Sequence, residues 1–589
     1  MRNTAVLRHM ILGLLIGIMS MGTVRAEEVY ARIRGTVSDP SGAVVAGAKI
    51  TAMNAETGVI KAAVSGSDGS YEFLQLDAPG IYTVKVEQSG FRGFQVTNIR
   101  LSLNQVFVQN VQLELGQVNQ QVTVEAEAAQ VETTSMQLGA RISGSSIIDL
   151  PLNGRNWVTL QQTLPGVVAS IDFDSNFSTN GARSQDNGFM VNGTDSNDLA
   201  LNTPLVIPSP DAIAEVSMIT NTINPEYGRN SGAILNAVTK SGSNSFHGSG
   251  FDFYRDPFLN ARNFFLPRAQ FHQNQYGGTI GGPIRKEHTF FFFSYQGTRN
   301  RAPIAPGRGF AGGTTTVFTS DQRSGIFPNV ATVADPNDPT KTIPNPTPAP
   351  FAMVGEDGLT HPAGTTYGTL FPTGTIPAAD LSPIATKLVS TYMPAANVGL
   401  DTFSWNPIST TKENQYITRI DHNFSSKDAL SGYWFIEEQN ATDDEPFYGG
   451  SLPGFGESQT SRINHMNLTW NHTFGGNMIN EARIGYNRFG FNTVNPVKPV
   501  LPSTFGFNIN PQSSASGAGL PCIDMDQYEP PTGACLFGFS YNGPQPRKDQ
   551  TYQVSDNFSW VKGRHTLKMG FDMRRAQVWT PVYFVNNGY

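Results

Sequence analysis

The chain has 589 residues, of which 39% are hydrophobic and 15% are charged, with a formal net charge of −7 at pH 7. Soluble domains carry ~25% charged residues, so this composition argues against a charge-rich disordered protein. The acidic balance offers no positive field to a phosphate backbone, and no nucleic-acid partner is expected. Two cysteines cannot build a disulfide framework or a thiolate zinc cluster.

Residues 1–26 have the order of a cleavable export signal. Arg2 and Arg8 precede an apolar run at residues 10–21, and the small residue Ala26 closes the segment after Val24. A short membrane anchor is the alternative, but the apolar run is shorter than the ~20 residues that a spanning helix needs. No later stretch is long and apolar enough to span, so the mature chain is either exported and soluble or an outer-membrane barrel.

Residues 27–115 predict a small β-sandwich. Turn signals such as Asp39-Pro40-Ser41-Gly42 and Ser67-Asp68-Gly69 separate about seven short runs that are rich in β-branched and aromatic residues. In the run IYTVKVEQ, hydrophobic and polar residues alternate, as in a strand with one buried face.

Residues 116–142 are polar and acidic apart from Val122, Thr123 and Val124. One interpretation is a linker. The other is a strand-forming peptide that a partner adds to the edge of its own sheet, because a β-prone segment offers its backbone hydrogen bonds.

Residues 143–244 predict a compact α+β domain. Residues 147–150 and 157–164 read as two short helical pieces that end at Pro151 and at Pro165-Gly166. The runs FMVNG, EVSMIT and ILNAVTK that follow have strand character.

Residues 245–589 repeat a two-sided alternation over runs of about 10 to 14 residues, the length of barrel strands in a membrane. Leu567, Met569, Phe571 and Met573 share one face of their run, for example, while charged and polar residues share the other. An amphipathic sandwich strand is the alternative for any single run, and repetition favours an outer-membrane barrel with aromatic girdles. The long segment 298–410 is expected to be an extracellular loop, and Cys522 and Cys535 are expected to form a disulfide in a second such loop.

Several motifs together resemble TonB-dependent receptors of the Oar-like type, which carry a carboxypeptidase regulatory-like domain, a transthyretin-like sandwich, ahead of a plug domain. They are PLNGRN at 151–156 with LQQTLPGV at 160–167, FMVNGTDSNDL at 189–199, and NQYGGTIGGPIRKEHTFFFFSYQG at 274–297. GTVSDPSGAVVAGAKI at 35–50 resembles the regulatory-like domain, whose fold is also described as carbohydrate-binding-like.

The resemblance implies a mainly β protein of a Gram-negative-type outer membrane, with the sandwich and the plug on the periplasmic side. It places a TonB box at Val122, Thr123 and Val124, and plug motifs at Asn153, Gly154, Arg155, Tyr227, Gly228 and Arg229. The implied partners are TonB, outer-membrane lipid and an extracellular ligand that is imported with energy relayed by TonB. Arg155, Tyr227 and Arg229 are candidates for holding the plug against the barrel through charge pairs, with solvated surface charge as the alternative.

No enzymatic motif accompanies this pattern. The nine histidines form no HExxH, and neither GxSxG nor GxxxxGK occurs, so no catalytic residue, metal site or cofactor is expected. Two other functions stay open: an adhesion or protein-export component on the same barrel, and a secreted carbohydrate-binding protein. The ligand also stays open: iron and other metal chelates, cobalamin, glycans and peptides all enter through receptors that the sequence resembles, and the sandwich domain slightly favours a glycan.

The number of strands is smaller than the resemblance implies. Receptors of this type close a barrel of about 22 strands, and only nine or ten strand-like runs occur after residue 245. We therefore expect this sequence to contain an incomplete barrel.

Overall fold

The computed structural model describes residues 30–116, 121–126, 138–170, 177–223, 225–261, 270–304, 312–447, 449–475, 477–494, 500–509, 519–525, 535–539, 546–562 and 565–581. The predicted export signal, residues 1–26, lies outside the described residues. Within them, no helix has the length and apolar character needed to cross a membrane.

The first domain is a two-layer β-sandwich, as predicted. One sheet has the order β4–β1–β7 with β8 beside β1, and the other contains β3–β2–β5–β6. Alternate residues of the strands, such as Tyr82, Val84 and Val86, are buried between the layers. The strands are β1 (Ala31–Ser38), β2 (Lys49–Asn54), β3 (Ile60–Val64), β4 (Ser70–Leu76), β5 (Gly80–Glu87), β6 (Gly93–Leu101), β7 (Val106–Val108) and β8 (Val111–Gln112).

The segment after the sandwich adds a strand to it. β9 (Gln121–Glu125) runs parallel to β6 at the end of the second sheet, with Phe94 opposite Val122, Gln95 opposite Thr123 and Val96 opposite Val124. Part of the segment that reads as a linker is therefore bound as a strand.

The second domain is α+β, as predicted, and we call it the plug domain. Its main sheet has the order β10–β15–β16–β13–β14, and β11 pairs with β12. The strands and the helix are β10 (Leu138–Ser143), α1 (Gly144–Asp149), β11 (Val167–Ala169), β12 (Phe177–Thr179), β13 (Gly188–Val191), β14 (Thr194–Asp195), β15 (Ile213–Asn221) and β16 (Ile234–Thr239). Short 3₁₀ helices are Asn153–Arg155, Trp157–Thr163, Ser184–Asp186, Pro210–Ala212 and Pro225–Tyr227.

Strand β10 begins inside the segment 116–142 that was expected to be a linker. It pairs antiparallel with β15, with Ala140 opposite Met218 and Ile142 opposite Val216. The partner strand lies about 75 residues away in the sequence, so local composition does not reveal this pairing.

The rest of the described chain is dominated by one antiparallel sheet of nine strands, in the order β17–β18–β19–β26–β27–β28–β29–β30–β31. We call this sheet the wall. The wall strands are β17 (His247–Arg255), β18 (His272–Arg285), β19 (Thr289–Pro303), β26 (Ile408–Asn423), β27 (Asp428–Asp443), β28 (Glu457–Gly475), β29 (Met478–Val494), β30 (Arg547–Lys562) and β31 (His565–Trp579). The connection between β19 and β26 contains six short strands that are not part of the wall: β20 (Thr314–Thr316), β21 (Thr332–Asp335), β22 (Asp338–Pro344), β23 (Met353–Val354), β24 (Thr360–His361) and β25 (Thr402–Ser404).

The two faces of the wall have opposite chemistry, which confirms the predicted alternation. Large apolar side chains point outward and are exposed, among them Leu468, Trp470 and Ile484. The polar residues between them point inward and are buried against the plug domain, among them His465 and Arg483. An exposed apolar face with a polar interior is the pattern of a sheet that faces lipid.

The two ends of the wall also differ. The strand pairs β18–β19, β26–β27, β28–β29 and β30–β31 are joined by connections of two to four residues, and the joined ends lie toward the sandwich, where Glu287 and Asn477 are found. The connections between β17 and β18, β19 and β26, β27 and β28, and β29 and β30 are longer, and those strand ends lie at the opposite end of the wall. The predicted loop 298–410 is shorter in the structure, because β19 and β26 stay paired from Thr289 opposite His422 to Pro303 opposite Ile408.

Three of the long connections pack together into what we call the loop cap, formed by described residues of 304–407, 444–456 and 495–546. They share a buried apolar core that includes Leu388, Phe455 and Phe537. Cys522 and Cys535 form a disulfide within it, with Cα atoms 5.6 Å apart. The cap also contains α2 (Ser320–Arg323), α3 (Pro328–Ala331), α4 (Tyr367–Leu370), α5 (Pro383–Tyr392) and the 3₁₀ helix Pro502–Phe505.

Replacing both cysteines, Cys522→Ser with Cys535→Ser, is expected to loosen the loop cap and leave the wall intact. A disulfide that closes a loop of about 15 residues contributes ~3 kcal/mol, and this pair is 13 residues apart. Limited proteolysis of the detergent-solubilised chain should cut the variant faster within 495–546, and reduced wild type should match it. Equal cleavage rates in oxidised wild type and variant would contradict this role.

Candidate functional site

A tight turn of the plug domain projects into the polar face of the wall. It joins β13 to β14 and contains Asn192, Gly193, Thr194 and Asp195, which we call the lock turn. Asn192 has φ 49° and Gly193 has φ 75°. Two consecutive positive φ angles are typical of a type I′ hairpin turn, for which Asn-Gly is the preferred sequence.

Three wall strands hold the lock turn by hydrogen bonds to its backbone and to Thr194. Arg483 Nη1 of β29 donates to Gly193 O at 2.7 Å, and Asn467 Nδ2 of β28 donates to Thr194 Oγ1 at 3.1 Å. His465 Nε2 of β28 lies 3.2 Å from Asp195 O, and Asp195 N donates to Gln553 Oε1 of β30 at 3.0 Å.

These contacts stabilise the seated turn as a set. Each such bond contributes about 0.5–1.5 kcal/mol, and a buried polar group that loses its partner costs more. The plug domain is therefore fastened by several separate bonds at one point.

The Asp195 side chain contacts a fourth wall strand, β31. Its carboxylate lies 3.0 Å from Arg574 Nη1 of β31 and 3.4 Å from Arg229 Nη1 of the plug domain. Burial raises the pKa of the Asp195 carboxyl, and the two arginines oppose that shift. Removing one partner of a buried ion pair is costly, because it leaves a charge without compensation.

The motif at 227–229 lies beside this ion pair. Tyr227, Gly228 and Arg229 line a cavity of about 290 Å³ together with Asp195 and Arg574. The neighbouring Glu226 lies 3.1 Å from Lys568 Nζ of β31. The structure thus places this sequence motif at the contact between plug domain and wall.

The motif at 153–155 contacts the wall a second time, at the strands β17 and β18 near the other edge of the sheet. Arg155 forms an ion pair with Asp211 of the plug domain, and its guanidinium carbon lies 4.4 Å and 4.3 Å from the ring centroids of Phe251 and Phe253 on β17. Gly154 O accepts a hydrogen bond of 3.1 Å from Gln275 Nε2 of β18. Asn153 lies in the same 3₁₀ turn.

The plug domain binds both backbone polar groups of one sandwich residue. Leu103, between β6 and β7, donates its N–H to Glu215 Oε2 at 3.1 Å and accepts at its carbonyl from Arg141 Nε at 2.5 Å. Both side chains belong to the plug domain, on β15 and β10. Burial raises the pKa of the Glu215 carboxyl to about 7, with the Leu103 N–H and Arg141 opposing the shift.

Two further contacts seat the sandwich at the short-turn end of the wall. Asn471 Nδ2 of β28 donates to Tyr30 Oη at 2.7 Å. Asn244 joins both sides, because its Nδ2 donates to Thr57 O at 2.6 Å and its Oδ1 accepts from Glu287 N at 2.8 Å. Sandwich, plug domain and wall enclose a chamber of about 880 Å³.

Sequence reasoning found the plug-side residues and missed their partners on the wall. The motif FMVNGTDSNDL contains the lock turn, and the Asn-Gly pair was a usable turn signal. Arg483, His465 and Gln553 show in the sequence only as members of polar faces. Across the described ranges, no group of three or more His, Cys, Asp or Glu is arranged to hold a metal ion.

Residues 238–588, more than half of the chain, match the outer membrane beta barrel domain family. The chain belongs to that family. Residues 32–114 match the carboxypeptidase regulatory-like domain, which agrees with the N-terminal sandwich. Membership in a family of outer-membrane barrels places the protein in the outer membrane, where the apolar face of its wall meets lipid.

A curated relative supports the same assignment. The TonB-dependent transporter Oar of Myxococcus xanthus is 29% identical over 304 residues, which cover 47% of this chain and 28% of that protein. The matched part therefore spans little more than a quarter of the relative. The chain is a homologue of a transporter, and the relative is not an enzyme.

Two solved outer-membrane proteins have a partial, low-scoring similarity to the chain. The outer membrane transporter YddB from Escherichia coli has a TM-score of 0.43 at 11% identity, covering 75% of this chain and 48% of that one. The ferripyoverdine receptor of Pseudomonas aeruginosa has a TM-score of 0.37 at 11% identity, covering 76% of this chain and 53% of that one.

Gly485→Ala is expected to loosen the lock turn. A Cβ at position 485 on β29 would collide with Cγ2 of Thr194, and overpacking of this kind costs about 1–3 kcal/mol. Hydrogen exchange measured by mass spectrometry should become faster in the peptide that contains residues 192–195.

Two further variants make this test specific. Thr194→Ser removes Cγ2 and keeps the Oγ that Asn467 binds, so it should restore slow exchange in the Gly485→Ala background. Gly490→Ala on the same strand meets only ordinary contacts, the nearest being Arg462 O at 3.8 Å, and should have no effect. Equal exchange in all four proteins would show that the wall does not hold the turn.

The contact between sandwich and plug domain is expected to weaken as pH rises from 5 to 8. The Glu215 pKa is raised from 4.5 to about 7. Its stabilisation is therefore complete below the unfolded value and is lost as pH rises through about 7. The thermal unfolding midpoint of wild type should fall more across this range than that of Glu215→Gln, which cannot titrate. Parallel pH curves for the two proteins would refute the assignment.

Proposed function

We propose that the protein binds an extracellular ligand on its loop-cap side and imports it, using energy that TonB relays from the inner membrane. The observation that carries the proposal is a β-prone strand, Gln121–Glu125, that lies between the sandwich and a plug domain. The plug domain is bound to the wall by hydrogen bonds at the lock turn and by a buried apolar cluster. Family membership and homology to a TonB-dependent transporter support it.

The orientation follows from the two ends of the wall. Outer-membrane barrels place short turns in the periplasm and long loops outside. The sandwich and β9 lie at the short-turn end, where a periplasmic partner has access, and the loop cap lies at the other end. Ligand contact and energy input are thus on opposite sides of the plug domain.

The route of force through the chain is direct. Residues 127–137 join β9 to β10, and eleven residues reach at most ~40 Å when fully extended. β10 carries Arg141, which binds the Leu103 carbonyl, and β10 pairs with β15, which carries Glu215. A pull that is transmitted to β10 therefore acts first on the hydrogen bond between Arg141 and the Leu103 carbonyl, and then on the plug sheet.

The lock turn suits a reversible release. Its bonds to the wall are individually weak, so they can break and re-form one after another without unfolding the wall. The charge pairs between Asp195, Arg229 and Arg574 favour one bound position of the turn, to which it returns after release.

Replacing Val122 and Val124 by proline is expected to abolish binding of a purified TonB periplasmic domain to the detergent-solubilised chain. Strand addition uses backbone donors, and each lost hydrogen bond costs about 1 kcal/mol, so affinity should fall by at least about tenfold. Thr123→Ala, which keeps every backbone donor, is the matched control and should bind as wild type does.

Unchanged binding of the proline variant would remove the box assignment and favour the adhesion or protein-export alternative. Loss of binding in both variants would point to side-chain recognition instead of strand addition. Isothermal titration at constant salt separates these results.

A further inference from the structure

We propose that the sandwich and TonB compete for the same strand, so that the N-terminal domain holds the receptor in an uncoupled state until β9 leaves β6. The inference rests on the proposed function and adds a mode of regulation to it. Five consecutive residues of β9 pair with β6, from Gly93 opposite Gln121 to Thr97 opposite Glu125.

Additional contacts show that this pairing is more than a chance approach of two strands. Asn98 Nδ2 donates to Glu125 Oε1 at 3.0 Å, and Ala126 N donates to Thr97 O at 3.0 Å. Ala126 and Phe94 both pack against the apolar core of the sandwich. Backbone, side-chain and apolar contacts thus all hold the segment on the sandwich.

The direction of the backbone groups creates the competition. Ala126 turns its N–H toward β6, and strand residues alternate with a period of two. Val122 and Val124 therefore also direct their backbone groups toward β6, and only Thr123 of the three box residues directs its own outward. A partner strand that pairs with the edge formed by Val122 and Val124 must therefore displace β6.

The same geometry would protect the plug domain from accidental force. While β9 is docked, its pairing with β6 takes up a load applied to it, and the load does not reach β10 until that pairing opens. Once β9 is free, the load reaches β10 through residues 127–137. Release of the strand is then the step that couples TonB to the plug domain.

A release variant tests the first half of the proposal. Thr97 faces β9, because its carbonyl accepts from Ala126. Thr97→Pro removes the N–H on that side and leaves the edge facing β5 intact, whereas Thr97→Val keeps the N–H and is the matched control. The apparent affinity for the TonB periplasmic domain should rise about tenfold in Thr97→Pro, because more chains have a free strand.

A reversible disulfide between β6 and β9, which we call the staple, tests whether β9 must leave β6 before TonB binds. Gln95 and Thr123 are direct partners in the register, and neighbouring strands lie ~4.8 Å apart, within the range of about 4.4–6.8 Å for Cα atoms of a disulfide. The oxidised double variant Gln95→Cys with Thr123→Cys should lose TonB binding, and reductant should restore it. Wild type treated with the same reductant should bind unchanged, although its Cys522–Cys535 bond opens.

A free peptide of residues 118–128 separates failure of this inference from failure of the proposed function. If the peptide binds TonB while the staple and Thr97→Pro leave the affinity of the chain unchanged, TonB adds to the outer edge of docked β9, and the competition is refuted. If TonB binds neither the peptide nor Thr97→Pro, the box assignment itself is wrong. Tighter binding on release and loss on stapling establish the competition.

Discussion

Every other feature of this protein depends on the requirement that a sheet in lipid must pair its backbone and present an apolar face. Strands satisfy that requirement by alternation, so each lipid-facing Leu468 or Ile484 places a His465 or Arg483 on the opposite face. The polar inner face is a consequence of crossing the membrane as a sheet. It is also the surface that supplies hydrogen-bond partners to a plug domain.

The plug domain uses that surface at the lock turn and at further contacts along the sheet, such as Arg419 with Thr239 O and Arg547 with Asp198. The lock turn receives donors from β28 and β29, presents its own N–H to β30 and pairs its carboxylate with β31. Arg155 packs on aromatic rings of β17, at the other edge of the wall. Beside these polar contacts, Val191, Val206 and Ala212 of the plug domain share a buried apolar cluster with the wall residues Phe292, Ile417, Tyr433, Phe435 and Ile463. The sandwich is held in a similar way, since two plug side chains bind the backbone N–H and C=O of Leu103 and Val238 of the plug domain packs in the sandwich core.

Local pattern was enough to predict the sandwich, the α+β domain and the two-faced strands, because each depends on periodicity and turn chemistry within short windows. The sequence also identifies Val122–Val124 as a short β-prone segment between polar residues. The pairing partners could not be read in this way. β9 joins β6 and β10 joins β15 through contacts that a strand of five or six residues does not encode by itself. The inward-facing His465, Arg483 and Gln553 looked like any other polar residue until the fold brought the lock turn to them.

In the proposed function, TonB engages this protein at residues 121–125. A photo-crosslinking amino acid at position 123, introduced in living cells, tests it most directly, because Thr123 is exposed and lies in the middle of the strand. If TonB pairs with this strand, a covalent adduct with TonB should form beside an internal adduct with the sandwich. The Thr97→Pro substitution should shift the yield toward TonB. Internal adducts alone, in cells that contain TonB and a proton-motive force, would show that TonB does not engage residues 121–125.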